Sequence, residues 1–312
     1  MSNDWYQHVN SFILLAKHAG AGILNFARLP KEAMRIQQKY NNTLLTEADL
    51  CAHGILYKGL QSLTPNIPIL SEEGEIPSYK ARSQWQCYWL LDPLDGTRGF
   101  IERLDEFTVN IALIEKHQPI VGVVYAPLQK ECYFAHQKHG AFKQVKDNVP
   151  QQIHTRKMNW QSFSVYLGEF LHSPRLPRLF ETIPAAKVVR LNSSLKFCRI
   201  AEGEGDLYPR FGNTSEWDTA AAQCVLEAAG GRIVDLSGKA LQYNAKLSLT
   251  NPPLLQWAIL HRNPKLLHYW KHREEKSDQA CQSCSNGCCW TNWLCFIVSF
   301  SFRPGIWFRY HP

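Results

Sequence analysis

The chain of 312 residues contains no apolar run of 18 residues, no cluster of basic residues and no internal repeat. The first absence excludes an ordinary transmembrane helix. The second gives no footing for nucleic-acid binding. Charge is not extreme, with charged residues at an ordinary 20% and a formal net charge of +7. Residues 263–312 carry +3 of that charge, from six Lys/Arg against three Asp/Glu. The mild positive balance suits an anionic substrate. The N-terminus lacks the features of an export signal, because Asp4 comes early and Lys17 interrupts a stretch with helix rather than signal-peptide character. Paired cysteine spacing is missing as well. Five of the ten cysteines are scattered and read as reduced, mostly buried thiols of a cytosolic protein. The other five (Cys281, Cys284, Cys288, Cys289 and Cys295) crowd into the final 32 residues without regular CxxC pairs.

What is present is a soluble globular composition, 45% apolar, and enough length for a large core and two domains. Apolar residues from Val9 to Phe26 recur at helical spacing. Lys39-Tyr40-Asn41-Asn42 reads as a loop or hairpin. Thr46-Glu47-Ala48-Asp49 reads as the capping box of a second helix. Ile67 to Leu70 predicts a short strand, and Tyr88 to Leu91 a buried one that breaks at Pro93 and turns at Gly96. Strands at Phe107–Ile114, Ile120–Tyr125 (after a turn at Gln118-Pro119), Glu131–His136 and Ala141–Val145 predict an antiparallel meander. A polar stretch at Asp147–Pro150 suggests a boundary, giving an N-terminal α+β subdomain over 1–150 and a C-terminal α/β subdomain over 151–262. The second predicts strands at Phe163–Leu167, Lys187–Leu191, Leu207–Arg210 and Arg232–Asp235. Its helices fall at Arg178–Thr182, Ser194–Glu202 and, alanine-rich, Trp217–Gly230. Residues 263–312 are rich in Cys and aromatics without periodicity. They read as a disordered tail outside the fold, and apolar Trp290–Phe302 with its basic neighbours leaves peripheral membrane contact open.

Chemistry concentrates in Trp89–Asn110. Asp92 and Asp95 stand three apart at a strand end, Thr97 follows, and the Leu94 carbonyl lies between them. A hard divalent ion such as Mg2+ takes this kind of all-oxygen shell. Alone, the stretch fits a turn with two solvated acids equally well. Further acids also sit at element ends: Asp49 in the capping box, Glu72 and Glu73 after a strand, and Asp218 at a helix N-terminus where anions are favoured. Together they suggest a shared cleft. His53 reads as a helix-face residue, because such a site prefers oxygen donors.

The strings TEAD, LSEEG, WLLDPLDGT and EWDTAAA, in that order and spacing, resemble the Mg2+-dependent, lithium-sensitive inositol monophosphatase superfamily. The blocks YWLLDPLDGTRGFIERLDEFTVNIALIE and SSLKFCRIAEGEGDLYPRFG are similar to its bacterial 3'(2'),5'-bisphosphate nucleotidases, over roughly residues 5 to 255. The resemblance implies a layered αβαβα sandwich with a metal site between its two halves. It implies hydrolysis of the 3'-phosphate of 3'-phosphoadenosine 5'-phosphate by a metal-activated water, with two or three Mg2+ ions. The expected metal ligands are Glu72, Asp92, the Leu94 carbonyl, Asp95 and Asp218. Asp49, Glu72 and Thr97 are expected to act on the attacking water. Glu72, Leu94, Asp95, Gly96, Thr97, Ser193, Ser194, Lys196, Arg210 and Asp218 are expected around the substrate. Lys196 or Arg210 would answer the 5'-phosphate, while Lys196 also fits a solvated helix face and Arg210 a simple pairing with an acid. Trp217 fits either a stacking face or simple packing. The expected partner is a small nucleotide, with no nucleic acid and no obligate protein partner. An inositol or sugar phosphatase of the same superfamily, or an inactive relative, are the competing readings. Three departures stand out: Arg98-Gly99 where Lys-Glu is common, KYNNTLL before Thr46, and Asn192 where glycine usually precedes the two serines.

Overall fold

A computed structural model of the chain describes residues 5–257 apart from 31–33, 40–43, 169–172, 174 and 184–185. These lie within one compact unit, Met1–Arg262. The expectations about the tail fall outside the described residues.

In chain order, α1 (Val9–Ala27), the hairpin β1 (Gln37–Gln38) and β2 (Leu44–Leu45), α2 (Glu47–Leu63), β3 (Ile69–Ser71), α3 (Tyr79–Arg82), β4 (Cys87–Asp95) and α4 (Thr97–Ile101) lead into a meander. The meander is β5 (Thr108–Glu115), β6 (Gln118–Ala126), β7 (Glu131–His136), β8 (Gly140–Val145) and β9 (Gln151–Ile153). There follow β10 (Ser164–Leu167), α5 (Arg175–Thr182), β11 (Lys187–Arg190), α6 (Leu195–Ala201), β12 (Leu207–Arg210), α7 (Ala220–Ala228), β13 (Arg232–Asp235) and β14 (Leu254–Trp257). Strands β3 to β9 form a seven-stranded sheet in sequence order. The second sheet has the order β11-β10-β12-β14-β13.

The alternation of a pleated strand sorts β4 onto two cores. Trp89 and Leu91 face α1 and α2, where the Phe12 ring sits 4.6 Å from Trp89. Tyr88 and Leu90 face the other way, into the core with α6 and α7. Helix α7 lies so close to β6 that a Cβ at Gly122 would collide with the Ala221 carbonyl oxygen. Helices therefore cover both faces of the first sheet, and the inner pair also packs on the second. This is the expected αβαβα layering.

Several local expectations need correction. Strand β4 does not break at Pro93 but continues to Asp95 through a bulge. The β5–β6 turn is made by Lys116 and His117, with φ of 48° and 66°, and Gln118-Pro119 already belongs to the strand. Asp147–Pro150 is the turn between β8 and β9 within the same sheet, and the first sheet ends at Ile153. The alanine-rich helix starts at Ala220, after a separate 3-10 turn, Glu216–Asp218. Arg232–Asp235 is not the last strand, since β14 returns and inserts antiparallel between β12 and β13.

Candidate metal centre and substrate cavity

Register brings the acids together. Parallel pairing ends at Ser71↔Leu91, and the Glu72 N–H donates to the Leu91 carbonyl at 3.1 Å, so Glu72 and Asp92 lie abreast on neighbouring strands. Asp92 pairs with Asn110 and Asp95 with Thr108. Residues three apart on a regular strand face opposite sides. Here β4 has Pro93 and Leu94 opposite the single Val109, and this extra residue turns Asp95 back to the face of Asp92. Proline is tolerated there because a bulge needs no ladder donor. Gly96, at φ +94°, then reverses the chain into α4, with the Glu106 carbonyl and Ser193 too close for an easy side chain.

Carboxylate oxygens of Glu72, Asp92 and Asp218 all lie within 4.8 Å of one another. Asp92 is buried, Glu72 and Asp218 half-buried. Burial, then the charges of Glu72, Asp95, Asp218 and Asp49, holds the Asp92 carboxyl well above its ordinary range. Burial with Asp95 and Glu72 does the same to Asp218. The Glu72 carboxyl is raised by burial, against the opposing Lys39 charge. A hard divalent cation fits this all-oxygen donor set, because it relieves the crowding of like charges that the fold imposes.

The surroundings fix these acids. Asp218 Oδ2 accepts from the Ser215 N–H at 2.9 Å, closing a capping box on the 3-10 turn. Asp92 Oδ1 accepts from the Leu94 N–H at 3.1 Å. Ser194 Oγ lies 2.7 Å from Asp95 Oδ2 and 3.0 Å from the Asp218 carbonyl, and accepts from Asn110 Nδ2 at 2.9 Å. Asp49 plays two parts. Its Oδ2 accepts from the Thr46 N–H at 2.7 Å in the capping box, and its Oδ1 faces Thr97 Oγ at 3.2 Å. Thr97 Oγ is also 3.1 Å from the Leu94 carbonyl. Burial pushes the Asp49 carboxyl up to about 6, although hydrogen bonds from Thr46 pull it down.

A cavity of about 380 Å³ adjoins the acids. Asp95, Gly96 and Asp218 line one end, and Arg98, Asn192, Ser193, Lys196, Tyr208 and Arg210 line the rest. Lys196 is buried rather than on a solvated helix face. Its Nζ donates to the Ser193 carbonyl at 2.6 Å and lies 4.9 Å above the Tyr208 ring. Burial lowers its ammonium to about 8. Arg210 donates one N–H to the Asn213 carbonyl at 3.2 Å, while its Nε is buried and unpartnered, and it forms no ion pair among the described residues. Ser194 sits behind Asp95 with its hydroxyl taken, outside the cavity lining. Trp217 packs half-buried against the core. The His53 ring pairs with Ser71 Oγ at 2.9 Å, apart from the acids.

Lys39 escaped sequence reasoning. Its ammonium lies 2.7 Å from Glu73 and 3.2 Å from Glu72, and the short β1–β2 hairpin carries it there. Nothing local in the sequence marks that pairing. Glu106, which accepts from the Asn192 N–H and Nδ2 at 2.8 and 2.9 Å, was likewise invisible.

A carboxylate cluster at a strand bulge, beside a cavity that also carries Arg98, Lys196 and Arg210, suits a divalent cation together with an anionic group. The family model for the inositol monophosphatase family matches residues 5–273, and the chain belongs to that family. Among similar proteins is the 3'(2'),5'-bisphosphate nucleotidase CysQ of Salmonella typhimurium, 42% identical over 238 residues, covering 76% of this chain and 94% of the relative. Its counterpart in Haemophilus influenzae is 36% identical over 245 residues, with 78% and 90% covered. The crystal structure of CysQ from Bacteroides thetaiotaomicron superposes with a TM-score of 0.70 at 33% identity, over 82% of this chain and 99% of that one. The Thermotoga maritima IMPase, 21% identical with a TM-score of 0.70 over 86% and 99%, shares the fold.

Proposed function

We propose that the chain is a Mg2+-dependent 3'(2'),5'-bisphosphate nucleotidase that hydrolyses the 3'-phosphate of 3'-phosphoadenosine 5'-phosphate to AMP and phosphate. The observation that carries this reading is the cluster of Glu72, Asp92 and Asp218 beside a cavity holding Lys196 and Arg210. Nucleotidase relatives at 36–42% identity support the substrate class.

Phosphoryl transfer asks a protein for positioning and charge compensation more than for covalent chemistry. Two or three Mg2+ ions, held by Glu72, Asp92, the Leu94 carbonyl, Asp95 and Asp218, would supply charge neutralisation and an activated water. The chain's own groups do the remainder. The Thr97 hydroxyl, which faces Asp49 Oδ1 at 3.2 Å, orients a water toward phosphorus, with Asp49 the acceptor beside it. The N–H groups of Gly96 and Thr97, at the start of α4 and without intrahelical acceptors, receive phosphate oxygens. Ser194 holds Asp95 at a fixed angle. Arg210 answers the 5'-phosphate through donors free of any carboxylate, with Lys196 adding charge beneath Ser193.

Phosphate release from the bisphosphate nucleotide against inositol 1-phosphate, with Mg2+, tests the reading. A higher kcat/KM on the nucleotide supports it, and preference for the inositol ester sinks it. Arg210→Ala is expected to raise KM for the nucleotide roughly tenfold to hundredfold, the worth of one charged hydrogen-bond pair, and to leave hydrolysis of a monophosphate ester nearly unchanged.

A further inference from the structure

We propose that Glu106 is a positioning residue, a latch that holds the Asn192–Ser194 loop across the site and thereby sets both the cavity wall and the orientation of Asp95. The loop connects β11 in the second sheet to α6, while Glu106 stands just before β5 in the first. A single carboxylate oxygen, Glu106 Oε2, accepts from the Asn192 N–H at 2.8 Å and from Asn192 Nδ2 at 2.9 Å. Glu106 does not line the cavity; its charge also faces the buried Lys196 ammonium, and Glu106→Gln, which removes the charge and keeps the acceptor, separates that field from the bond to the loop.

The loop needs holding. Ser193 has φ of 53°, a left-handed conformation that costs a non-glycine residue about 1–2 kcal/mol unless its surroundings enforce it. What the strain achieves is visible on both sides. The Ser193 carbonyl turns to receive Lys196 Nζ at 2.6 Å. The Ser193 side chain comes against the open face of Gly96. One residue on, Ser194 Oγ reaches Asp95 Oδ2 at 2.7 Å. Glu106 thus grips the first residue of a three-residue strap, and Asp95 is gripped by the last. If Ser193 relaxed to negative φ, the Lys196 contact and the Ser194 contact would move together. The Asn192 side chain adds a second bond to the same oxygen that its N–H meets.

The inference rests on the nucleotidase reading only where it is measured with the nucleotide. The experiment compares Glu106→Ala with Glu106→Gln, whose amide oxygen retains the acceptor. Amide hydrogen exchange at Asn192 in the full chain is expected to quicken at least about tenfold in Glu106→Ala, the loss of one hydrogen bond to a charged acceptor, and to stay near wild type in Glu106→Gln. KM for 3'-phosphoadenosine 5'-phosphate should rise roughly tenfold in Glu106→Ala, with a severalfold higher Mg2+ midpoint, and Glu106→Gln should recover most of both. Should Glu106→Ala not fold, Asn192→Gly removes only the side-chain bond and is expected to give a smaller change in the same direction. Unchanged Asn192 exchange in the soluble Ala variant, or a fall in melting temperature with KM and Mg2+ midpoint unmoved, overturns the latch. A wild type that ignores the nucleotide sinks the functional reading instead, and the exchange rates still decide the latch.

Discussion

Neutralising one buried acid of the cluster should stabilise the metal-free protein and abolish its response to metal. In Asp92→Asn the amide oxygen still accepts from the Leu94 N–H, and the new NH2 meets Glu72 and Asp218 as acceptors. Two unit charges no more than 4.8 Å apart repel by at least about 3 kcal/mol at an effective dielectric of about 20. Asp92 takes part in two such pairs, so the gross repulsion is at least about 6 kcal/mol when all three are ionised. Proton uptake relieves much of it, since burial and like charge hold Asp92 and Asp218 well above the usual range. A net gain of about 2 kcal/mol at pH 8 is the reasonable expectation, or roughly 4–8 °C in melting temperature for a unit of this size. For acids raised in the folded state, the penalty is absent below their unfolded pKa and grows as pH rises. The variant's advantage in EDTA should therefore vanish near pH 4. Saturating Mg2+ at about 100 times its Kd adds about 2.7 kcal/mol to the wild type alone, which reverses the order. Calorimetric melting at pH 4 and pH 8, with EDTA or Mg2+, reads all four conditions. A lower melting temperature for Asp92→Asn in EDTA at pH 8 would refute the crowding argument, and equal stabilisation of both proteins by Mg2+ would refute Asp92 as a ligand.

Three further outcomes are expected. Ser194→Ala unties Asp95 and leaves Asn110 Nδ2 without its acceptor, so the Mg2+ midpoint should rise roughly 10- to 100-fold and stability fall by about 1–3 kcal/mol in urea titration. Asp49 rises from 3.8 to about 6 on folding, so the metal-free protein should lose about 3 kcal/mol between pH 4 and pH 6 through this group, and Asp49→Asn should flatten that part of the urea-midpoint profile. Gly122→Ala drives a methyl group into the Ala221 carbonyl and Cys224. It should cost about 1–3 kcal/mol of stability, and an unchanged melting temperature would show that α7 does not bear on β6 as described.

The fold was legible where periodicity speaks and obscure where pairing decides. Helix α1 follows directly from Val9, Phe12, Ile13, Ala16 and Ile23, all on its buried face, and the capping box at Thr46 appears as read. Strand β14 carries no clear sequence signal, because Leu254-Leu255-Gln256-Trp257 is short and its partners, Arg232–Asp235 and Leu207–Arg210, are distant in sequence. The alanine-rich run is continuous in sequence, yet Asp218 caps its own 3-10 turn before α7 starts at Ala220. The site shows the same division. Asp49, Glu72, Asp95 and Asp218 stand at or beside element ends, which sequence signals mark, whereas Asp92 lies inside β4. The geometry that unites them carries no such signal, because it depends on one extra residue in β4 matched against β5 and on a parallel register with β3. Pro93, read as the end of the strand, marks the bulge that keeps Asp92 and Asp95 on one face. Asp49 shows why local rules and function can coincide here: the acid that closes the capping box with one oxygen turns the other toward Thr97. A substitution there tests helix and site together. A substitution at Glu106 separates them, because it is bonded to the loop and to none of the acids.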